Sequence, residues 1–344
     1  MQLLGIETSC DETAAAVVED GHVILAGEVA SSSRLHVRFG GVVPEIACRE
    51  HLRCIVPVVQ AALEEAAASR ETVDGIAVTN RPGLVGALLI GSTAAKALAW
   101  AWRKPLVAIS HVEAHIYAAH MAFADLAYPY VALVASGGHT SIYLVRDVFT
   151  CELMGATIDD AAGEAFDKVA KYLGLLRETL HGGPAIEAAA LGGDPDAIKF
   201  PRSLIEEGFD FSFSGIKTAV LYRCHGQDSS LPVTAPRLTR RELADLAAGF
   251  QEAVVDVLTG KLVRAAKAAA VERMVVGGGV AANKRLREKL SRAAEEHRLK
   301  VYFPPLAFCT DNAVMVAGLG YHYLRAGRTT PFDMDTQAQV ERVY

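Results

Sequence analysis

The chain has 344 residues, which is enough for about two domains. Apolar residues make up 51% and charged residues 22%, a composition that excludes a disordered tail and a collagen-like repeat. With 34 basic and 40 acidic residues the net charge is −6, so the chain has no overall positive field that would attract nucleic acid. A nucleic-acid partner would therefore have to bind a local patch.

Signals for secretion or membrane insertion are weak. The six cysteines are scattered without a CxxC pair, as is typical of a reducing compartment. Residues 1–6 are apolar but lack a basic n-region and a cleavage site, so we expect no secretory signal. The longest apolar stretch, residues 84–102, includes Lys96 and favours a buried helix over a membrane span. We expect a cytoplasmic protein without a membrane partner.

Hydrophobic periodicity in the first third of the chain predicts three strands and a helix, followed by alternating strands and helices. The strands are expected at residues 2–7, 13–19, 22–30, 75–79 and 106–109, and the helices at 44–68, 84–102 and 110–122. This order is typical of a mixed sheet covered by helices.

The second part of the chain repeats that opening. Strands are expected at residues 130–135, 140–146, 150–156, 274–276 and 300–303, with helices from about 161, from Thr239, at 281–296 and at 310–324. Residues 195–236 hold much of the proline and are expected to be irregular. We predict two related α/β domains, residues 1–125 and 126–344, the second with a helical or irregular insertion around residues 180–240.

Three turns that follow predicted strands are rich in glycine or acids: GIETSCDET at residues 5–13, SGGHT at 136–140 and GGGVAAN at 277–283. Glycine lets backbone amides approach a phosphate closely, although each turn alone could equally be an ordinary tight turn. Together they favour a nucleotide held between two domains. None matches GxxxxGK[ST], which disfavours a P-loop ATPase.

His111 and His115 are four residues apart, so on a helix both imidazoles face the same side and can share a metal. Asp311, near the start of a predicted helix, is the best third ligand, and such a set suits Zn²⁺ or Fe²⁺. The alternatives are core histidines and an ordinary first-turn acid. In a zinc peptidase the base follows the first histidine, where this chain has Val112; Glu113 lies about 200° around the helix.

Other charged residues are less specific. Asp11 and Glu12 could orient a water, a metal or an amine, or simply cap a turn. Residues 261–300 carry eleven basic and four acidic residues, which favours a solvated helix face but also offers the best surface for RNA.

Ten segments together, in order along nearly the whole chain, resemble the TsaD (Gcp) family of tRNA N6-adenosine threonylcarbamoyltransferases. They are GIETSCDET (5–13), GGVVPEIACREH (40–51), PGLVGALLIG (82–91), HVEAH (111–115), SGGHT (136–140), AGEAFDKVAKYLGL (162–175), GGP (182–184), FSFSGIKTAV (211–220), GGGVAAN (277–283) and CTDNAVMVA (309–317). A collinear set of this kind is far more specific than any single motif.

The resemblance implies an actin/Hsp70/sugar-kinase-like α/β fold with the ligand site in the cleft between two related mixed-sheet domains. It implies one divalent metal per chain, Fe²⁺ or Zn²⁺, on His111, His115 and Asp311, and a catalytic role for Asp11. The substrate contacts it implies are Val134, Ala135, Ser136, Gly137, Gly138, Asp167, Gly183, Glu187 and Asn283.

The activity implied by the resemblance is a metal-dependent acyl transfer. The threonylcarbamoyl group would pass from threonylcarbamoyl-AMP to N6 of adenosine 37 in tRNAs that read codons beginning with A, giving t6A and AMP. An ATP- or AMP-type nucleotide could occupy the same cleft. The implied partners are tRNA, a TsaB-like paralogous subunit and a TsaE-like ATPase. The alternatives are a glycoprotease-type metallopeptidase and a non-catalytic nucleotide-binding scaffold.

The chain departs from the family pattern at three positions. Arg81 stands where glycine usually precedes PGL, Glu187 replaces an aspartate, and Ala135 replaces a valine before SGG. The Glu187 change puts its ligand contact in question, whereas Ala135 would contribute mainly backbone.

Overall fold

A computed structural model describes residues 1–39, 41–176, 181–226 and 238–339. Contacts divide the chain into two units. Unit 1 comprises Met1–Leu126 and the segment that begins at Thr310, and unit 2 comprises Ala127–Cys309. The sequence-based ranges differ from these units because they assign the end of the chain to the second domain. Gly40, which opens the GGVVPEIACREH motif, and residues 177–180 and 227–237 of the expected insertion lie outside the described residues.

Unit 1 is a mixed sheet with helices packed against it. Its elements are β1 (Gln2–Glu7), β2 (Glu12–Glu19), β3 (Val23–Ser31), α1 (Ser33–His36), α2 (Pro44–Glu65), β4 (Val73–Arg81), α3 (Val85–Trp102), β5 (Leu106–Ser110) and α4 (His111–Ala122). The strand order is β3-β2-β1-β4-β5, with β1 to β3 antiparallel and β4 and β5 parallel to β1. The parallel strand β4 is almost entirely buried, as expected when helices cover both faces.

Unit 2 repeats this connectivity. Its elements are β6 (Tyr130–Ala135), β7 (Thr140–Asp147), β8 (Thr150–Ala156), α5 (Ala162–Tyr172), α6 (Gly182–Ala189), α7 (Ser214–His225), α8 (Arg240–Ala268), β9 (Arg273–Gly277), α9 (Lys284–Glu296) and β10 (Lys300–Tyr302). The order β10-β9-β6-β7-β8 is that of unit 1 read from the other edge. The predicted pair of related mixed-sheet α/β domains is therefore confirmed.

Helix α7 corrects one expectation. Residues 195–236 were expected to be irregular because of their prolines, yet Ser214–His225 is helical. The four prolines of that window, Pro195, Pro201, Pro232 and Pro236, all lie outside the helix. The prolines are confined to the two ends of this range, so the segment between Pro201 and Pro232 is free to form a helix.

Helix α3 is by length and composition alone apolar enough to cross a membrane. In the structure it packs against α2 and β4, and Ala87, Leu88, Ala95 and Ala99 are buried. A core helix of a soluble protein passes the same length and composition test.

The last helix, α10 (Ala313–Arg325), returns to the sheet of unit 1 and packs against β1. The contact is close at Gly5, where an added Cβ would lie 2.8 Å from the backbone nitrogen of Ala317. Only a residue without a side chain allows α10 to approach β1 in this way. This packing fixes the start of α10 and the residues just before it.

Replacing Gly5 with Ala should therefore lower the free energy of unfolding by about 2 kcal/mol, because the helix or strand must shift to admit a methyl group. Gly41→Ala is the matched control, since an added Cβ there has open space around it. Urea unfolding of both variants measures the effect. Equal stability of the two variants would contradict the close packing.

Candidate metal centre and glycine turns

The two histidines of HVEAH lie at the start of α4, buried in unit 1. Their rings are 4.6 Å apart, centroid to centroid. Nε2 of His111 and Nε2 of His115 lie 3.4 and 3.2 Å from the same oxygen, Oδ1 of Asp311. Ligand atoms of all three residues lie within 4.8 Å of one another, so a single cation can reach all three.

Asp311 stands in a different local setting from the one expected. The sequence suggests that it lies just inside a helix, but α10 begins at Ala313. Asn312 is the N-cap, and its Oδ1 accepts a hydrogen bond from the backbone nitrogen of Met315 at 3.1 Å. Because Asn312 satisfies the helix end, the Asp311 carboxylate is left to face the histidines.

A buried carboxylate at the end of β1 orients His111. Glu7 is fully buried, and its Oε2 lies 2.9 Å from Nδ1 of His111 and accepts a 2.6 Å hydrogen bond from Thr79. Its Oε1 accepts a 2.5 Å bond from the backbone nitrogen of Ser9. A proton on Nδ1 of His111 leaves the Nε2 lone pair facing Asp311, the usual arrangement behind a metal-bound histidine.

Charge at the site favours a cation. Burial opposes ionisation of Glu7, but the charge on His111 and the hydrogen bond from it hold the Glu7 pKa below its usual value. Burial lowers the pKa of His111, yet Asp311 and Glu7 together raise it to about 9. Burial, then the charge on His111, lowers the pKa of His115. The two carboxylates, Glu7 and Asp311, thus stabilise a positive charge at this site, and a divalent metal can supply that charge.

The donor set fits a transition metal. Two imidazole nitrogens and one carboxylate suit Zn²⁺ or Fe²⁺, and three protein ligands leave coordination positions open. Nδ1 of His115 is buried without a hydrogen-bond partner among the described residues. Glu113, the acid between the two histidines, accepts a 3.1 Å hydrogen bond from Tyr323 on α10.

The loop that carries Asp11 is fixed through its backbone. Ser32 donates to the Asp11 carbonyl from its hydroxyl at 2.8 Å and from its nitrogen at 3.0 Å. His51 donates from Nε2 to the Cys10 carbonyl at 3.0 Å, and its Nδ1 faces the Thr13 hydroxyl at 2.8 Å. Asp11 itself is 8% exposed, and its Oδ2 has no partner among the described residues. The backbone that carries Asp11 is therefore held in place, while Oδ2 of its carboxylate is buried without a partner among the described residues.

Asp311 acts electrostatically on this loop. Burial, then the charges of Asp11 and Asp311, raises the pKa of Glu12 to about 7. Burial and the same two carboxylates raise the pKa of the Cys10 thiol. The acid-bearing turn and the His-His-Asp group are thus parts of the same electrostatic environment within unit 1.

In unit 2, the two predicted glycine turns follow neighbouring parallel strands. Val134 on β6 pairs with Gly277 on β9, so the SGGHT and GGGVAAN turns leave the same edge of the sheet. Ligands of open α/β sheets bind at this carboxyl edge. Val134 and Ala135 are buried within β6, which leaves the turn that follows them as the accessible part.

Within the SGGHT turn, the Ser136 nitrogen donates to the His139 carbonyl at 2.8 Å. Among the described residues, the amides of Gly137 and Gly138 have no such partner, and an added Cβ at either would have open space. Helix α5 packs directly on this turn, since a Cβ at Gly163 would lie 2.5 Å from the Ser136 carbonyl oxygen. Helix α5 therefore supports the turn, and the exposed residues Gly137 and Gly138 have amides without a backbone partner among the described residues.

The remaining predicted contacts in unit 2 are joined in two local pairs. Oδ1 of Asp167 accepts a 2.6 Å hydrogen bond from the Gly182 nitrogen, which ties α5 to the GGP turn holding Gly183. Glu187 accepts a 3.2 Å bond from the Lys284 nitrogen, next to Asn283. The Asn283 amide donates to Gln251 at 2.8 Å while its Oδ1 caps α9. Asn283 is thus already engaged on both sides of its amide.

The basic segment at residues 261–300 is less positive than its composition suggests. Arg285 is paired with Glu252 through two hydrogen bonds, and Lys289 is paired with both Glu252 and Asp256, which lie on α8 before the segment begins. Lys261 is buried and donates to backbone carbonyls. Two of the eleven basic side chains, Arg285 and Lys289, are therefore paired across the packing of α9 on α8.

Sequence reasoning overlooked the groups that hold the ligands, above all Glu7, Thr79 and His51. One signal was available for Glu7, a charged residue that ends an otherwise apolar strand. Thr79 is its counterpart on the parallel strand β4. His51 lies on α2, remote in sequence from the loop that it fixes.

Two units of this topology define the actin- and Hsp70-like class of α/β proteins. Component A of (R)-2-hydroxyglutaryl-CoA dehydratase from Acidaminococcus fermentans shares this fold, with a TM-score of 0.56 and 15% identity over 94% of this chain and 99% of that one. At this identity the likeness concerns the fold alone.

Within that class the chain belongs to the TsaD family, the tRNA N6-adenosine threonylcarbamoyltransferases, whose model matches residues 23–318. The family enzyme of Syntrophobacter fumaroxidans is 50% identical over 98% of this chain and 99% of its own length. That of Treponema denticola is 48% identical over 99% of this chain and 98% of its own length. The resemblance found in the motifs is confirmed.

Replacing Glu7 with Gln should weaken binding of Zn²⁺ or Fe²⁺ by about 10- to 100-fold, because His111 loses the carboxylate that orients and polarises it. Competition with a chelator measures the affinity of the wild type and the variant. Glu65→Gln at the exposed end of α2 is the control. Unchanged metal affinity in Glu7→Gln would remove Glu7 from the site.

Proposed function

We propose that this chain transfers the threonylcarbamoyl group from threonylcarbamoyl-AMP to N6 of adenosine 37 in tRNAs that read codons beginning with A. The proposal is supported by membership of a family whose model matches residues 23–318. The buried group of His111, His115 and Asp311 further supports an intact enzyme rather than a scaffold.

The reaction is an acyl transfer. N6 of the adenosine forms a bond to the carbamoyl carbon, the bond from that carbon to the phosphate oxygen breaks, and AMP leaves with the electron pair. The attacking nitrogen gives up a proton. An aromatic amine is a weak nucleophile, so the reaction depends chiefly on positioning and on stabilising the charge that develops on oxygen.

The chain's own residues supply this positioning. The amides of Gly137 and Gly138, which have no backbone partner among the described residues, are suited to hold phosphate or carbonyl oxygens. Val134, Ala135, Ser136, Asp167, Gly183, Glu187 and Asn283 complete the proposed substrate-binding set. Oδ2 of Asp11, which has no hydrogen-bond partner among the described residues, is proposed to accept a hydrogen bond from the attacking amine. His111, His115 and Asp311 would hold one divalent metal, Fe²⁺ or Zn²⁺, which supplies Lewis-acid stabilisation when bound.

The proposed setting is the cytoplasm, without a membrane, and an ATP- or AMP-type nucleotide is proposed as a further ligand of the substrate site. The proposed partners are tRNA, a TsaB-like paralogous subunit and a TsaE-like ATPase.

An exposed apolar surface of unit 1 supports the proposal of a protein partner. Helices α2 and α3 pack together and expose Leu52, Val56, Val85, Leu89 and Trp100.

The transfer is tested by incubating the chain with threonylcarbamoyl-AMP, unmodified tRNA and the proposed partner subunits, followed by mass analysis of digested tRNA for t6A. His115→Ala should reduce product formation by at least about 100-fold, whereas His22→Ala, at an exposed histidine, should not. Full activity of His115→Ala would show that the reaction does not require a metal held by His115. Peptide cleavage that is lost in His115→Ala would favour the peptidase instead.

The partner surface is tested by Leu52→Glu, which places a charge on a side chain that is 65% exposed. Binding of the TsaB-like subunit should weaken by at least about tenfold, because the interface would have to bury an unpaired carboxylate. Leu191→Glu is the matched control on unit 2, where the leucine is 78% exposed. Equal loss in both variants, or none in Leu52→Glu, would place the partner elsewhere.

A further inference from the structure

After α10, the chain continues along unit 1 as a segment outside helices and strands, residues 328–338, with a turn at residues 332–333; it is here called the C-terminal strap. Gly327 has a φ of 71° and ends the helix. The strap then lies beside β5, the edge strand of the sheet. The Thr330 nitrogen donates to the Leu106 carbonyl at 2.7 Å, and its hydroxyl oxygen accepts from the Ala108 nitrogen at 2.9 Å.

The middle of the strap is fastened to helix α3. Met334 packs against the hydrophobic core of unit 1, and its carbonyl accepts a 2.7 Å hydrogen bond from Nζ of Lys96. Lys96 is the charged residue within the most apolar helix of the described chain. The strap therefore provides the partner that makes a lysine at this position favourable.

The far end of the strap contacts the end of β4 and the loop that follows β4. Asn80 donates from its side chain to the Asp335 carbonyl at 3.3 Å and accepts from the Gln337 nitrogen at 3.0 Å. The Gly83 nitrogen donates to the Ala338 carbonyl at 3.3 Å. The strap thus contacts both ends of residues 80–83.

That loop in turn contacts the candidate metal centre. The Leu84 nitrogen donates to the Ser9 carbonyl at 2.8 Å. The Ser9 hydroxyl lies 3.2 Å from Nδ1 of His111, and the Ser9 nitrogen donates to Glu7. Ser9 is 2% exposed, so it has little freedom to move independently of these partners. A continuous series of contacts therefore runs from the strap to a metal ligand.

We propose that the C-terminal strap is a positioning element for the metal centre. When docked, it holds residues 80–84 against Ser9 and so fixes His111 and the adjoining Asp11 loop. Most residues of the strap are exposed, as is typical of segments that open more easily than the core. Opening of the strap would loosen the site without unfolding unit 1. This inference rests on the proposed metal site.

The test compares Met334→Ala with Phe332→Ala, a matched truncation on the same strap whose side chain is 47% exposed. Each full-length protein is loaded with Zn²⁺, and release to a chelator is timed. Amide hydrogen exchange at Leu84 is followed in the same samples. Met334→Ala should speed Zn²⁺ release about tenfold and accelerate exchange at Leu84, while Phe332→Ala should match the wild type.

Wild-type rates of both release and exchange in Met334→Ala, and also in a chain ending at Arg328, would overturn the proposal. Faster release with unchanged exchange at Leu84 would also overturn it, because the effect would not pass through the loop. If the wild type binds no Zn²⁺, the proposed metal site fails, and Leu84 exchange alone then decides whether the strap holds the loop. Absence of t6A formation alongside faster release and faster exchange at Leu84 would count against the proposed function but support the strap.

Discussion

The candidate site of unit 1 depends on a buried carboxylate, Glu7, and its hydrogen bond to His111. A charged group in the core is costly unless it is paired, and Glu7 is paired with His111, Thr79 and Ser9. These partners come from α4, β4 and the loop after β1. Hydrogen bonds to one buried carboxylate thus tie three segments together and orient Nε2 of His111 toward Asp311.

The duplicated topology explains where the functional groups lie. In each unit, a central strand is flanked by an antiparallel meander and by a parallel strand, and loops at its carboxyl end carry the polar residues. In unit 1, the loop after β1 carries Ser9 and Asp11. In unit 2, the loop after β6 carries Ser136, Gly137 and Gly138. The same fold therefore supplies an acidic turn beside the candidate metal centre in unit 1 and a glycine turn in unit 2.

Much of this was predictable from the sequence, for physical reasons. Strong hydrophobic periodicity located the strands and long helices, and the i, i+4 spacing of His111 and His115 requires only local geometry. Long-range pairing was not predictable. Within the charge run at residues 261–300, Arg285 and Lys289 are paired with Glu252 and Asp256 of α8, which offset only part of the charge. The role of Glu7 depends on its contact with His111, which is remote in sequence. Asp311 was placed inside a helix because the capping role of Asn312 depends on backbone geometry.

The proposal with the most consequences is that His111, His115 and Asp311 together hold one functional metal ion. Its most direct test is anomalous X-ray diffraction from crystals of the purified protein, with data collected on both sides of the iron and zinc absorption edges. We expect one anomalous peak per chain, within bonding distance of Nε2 of His111, Nε2 of His115 and a carboxylate oxygen of Asp311, and its loss in Asp311→Ala. A metal bound elsewhere in a chain that makes t6A, or a peak that persists in Asp311→Ala, would contradict it.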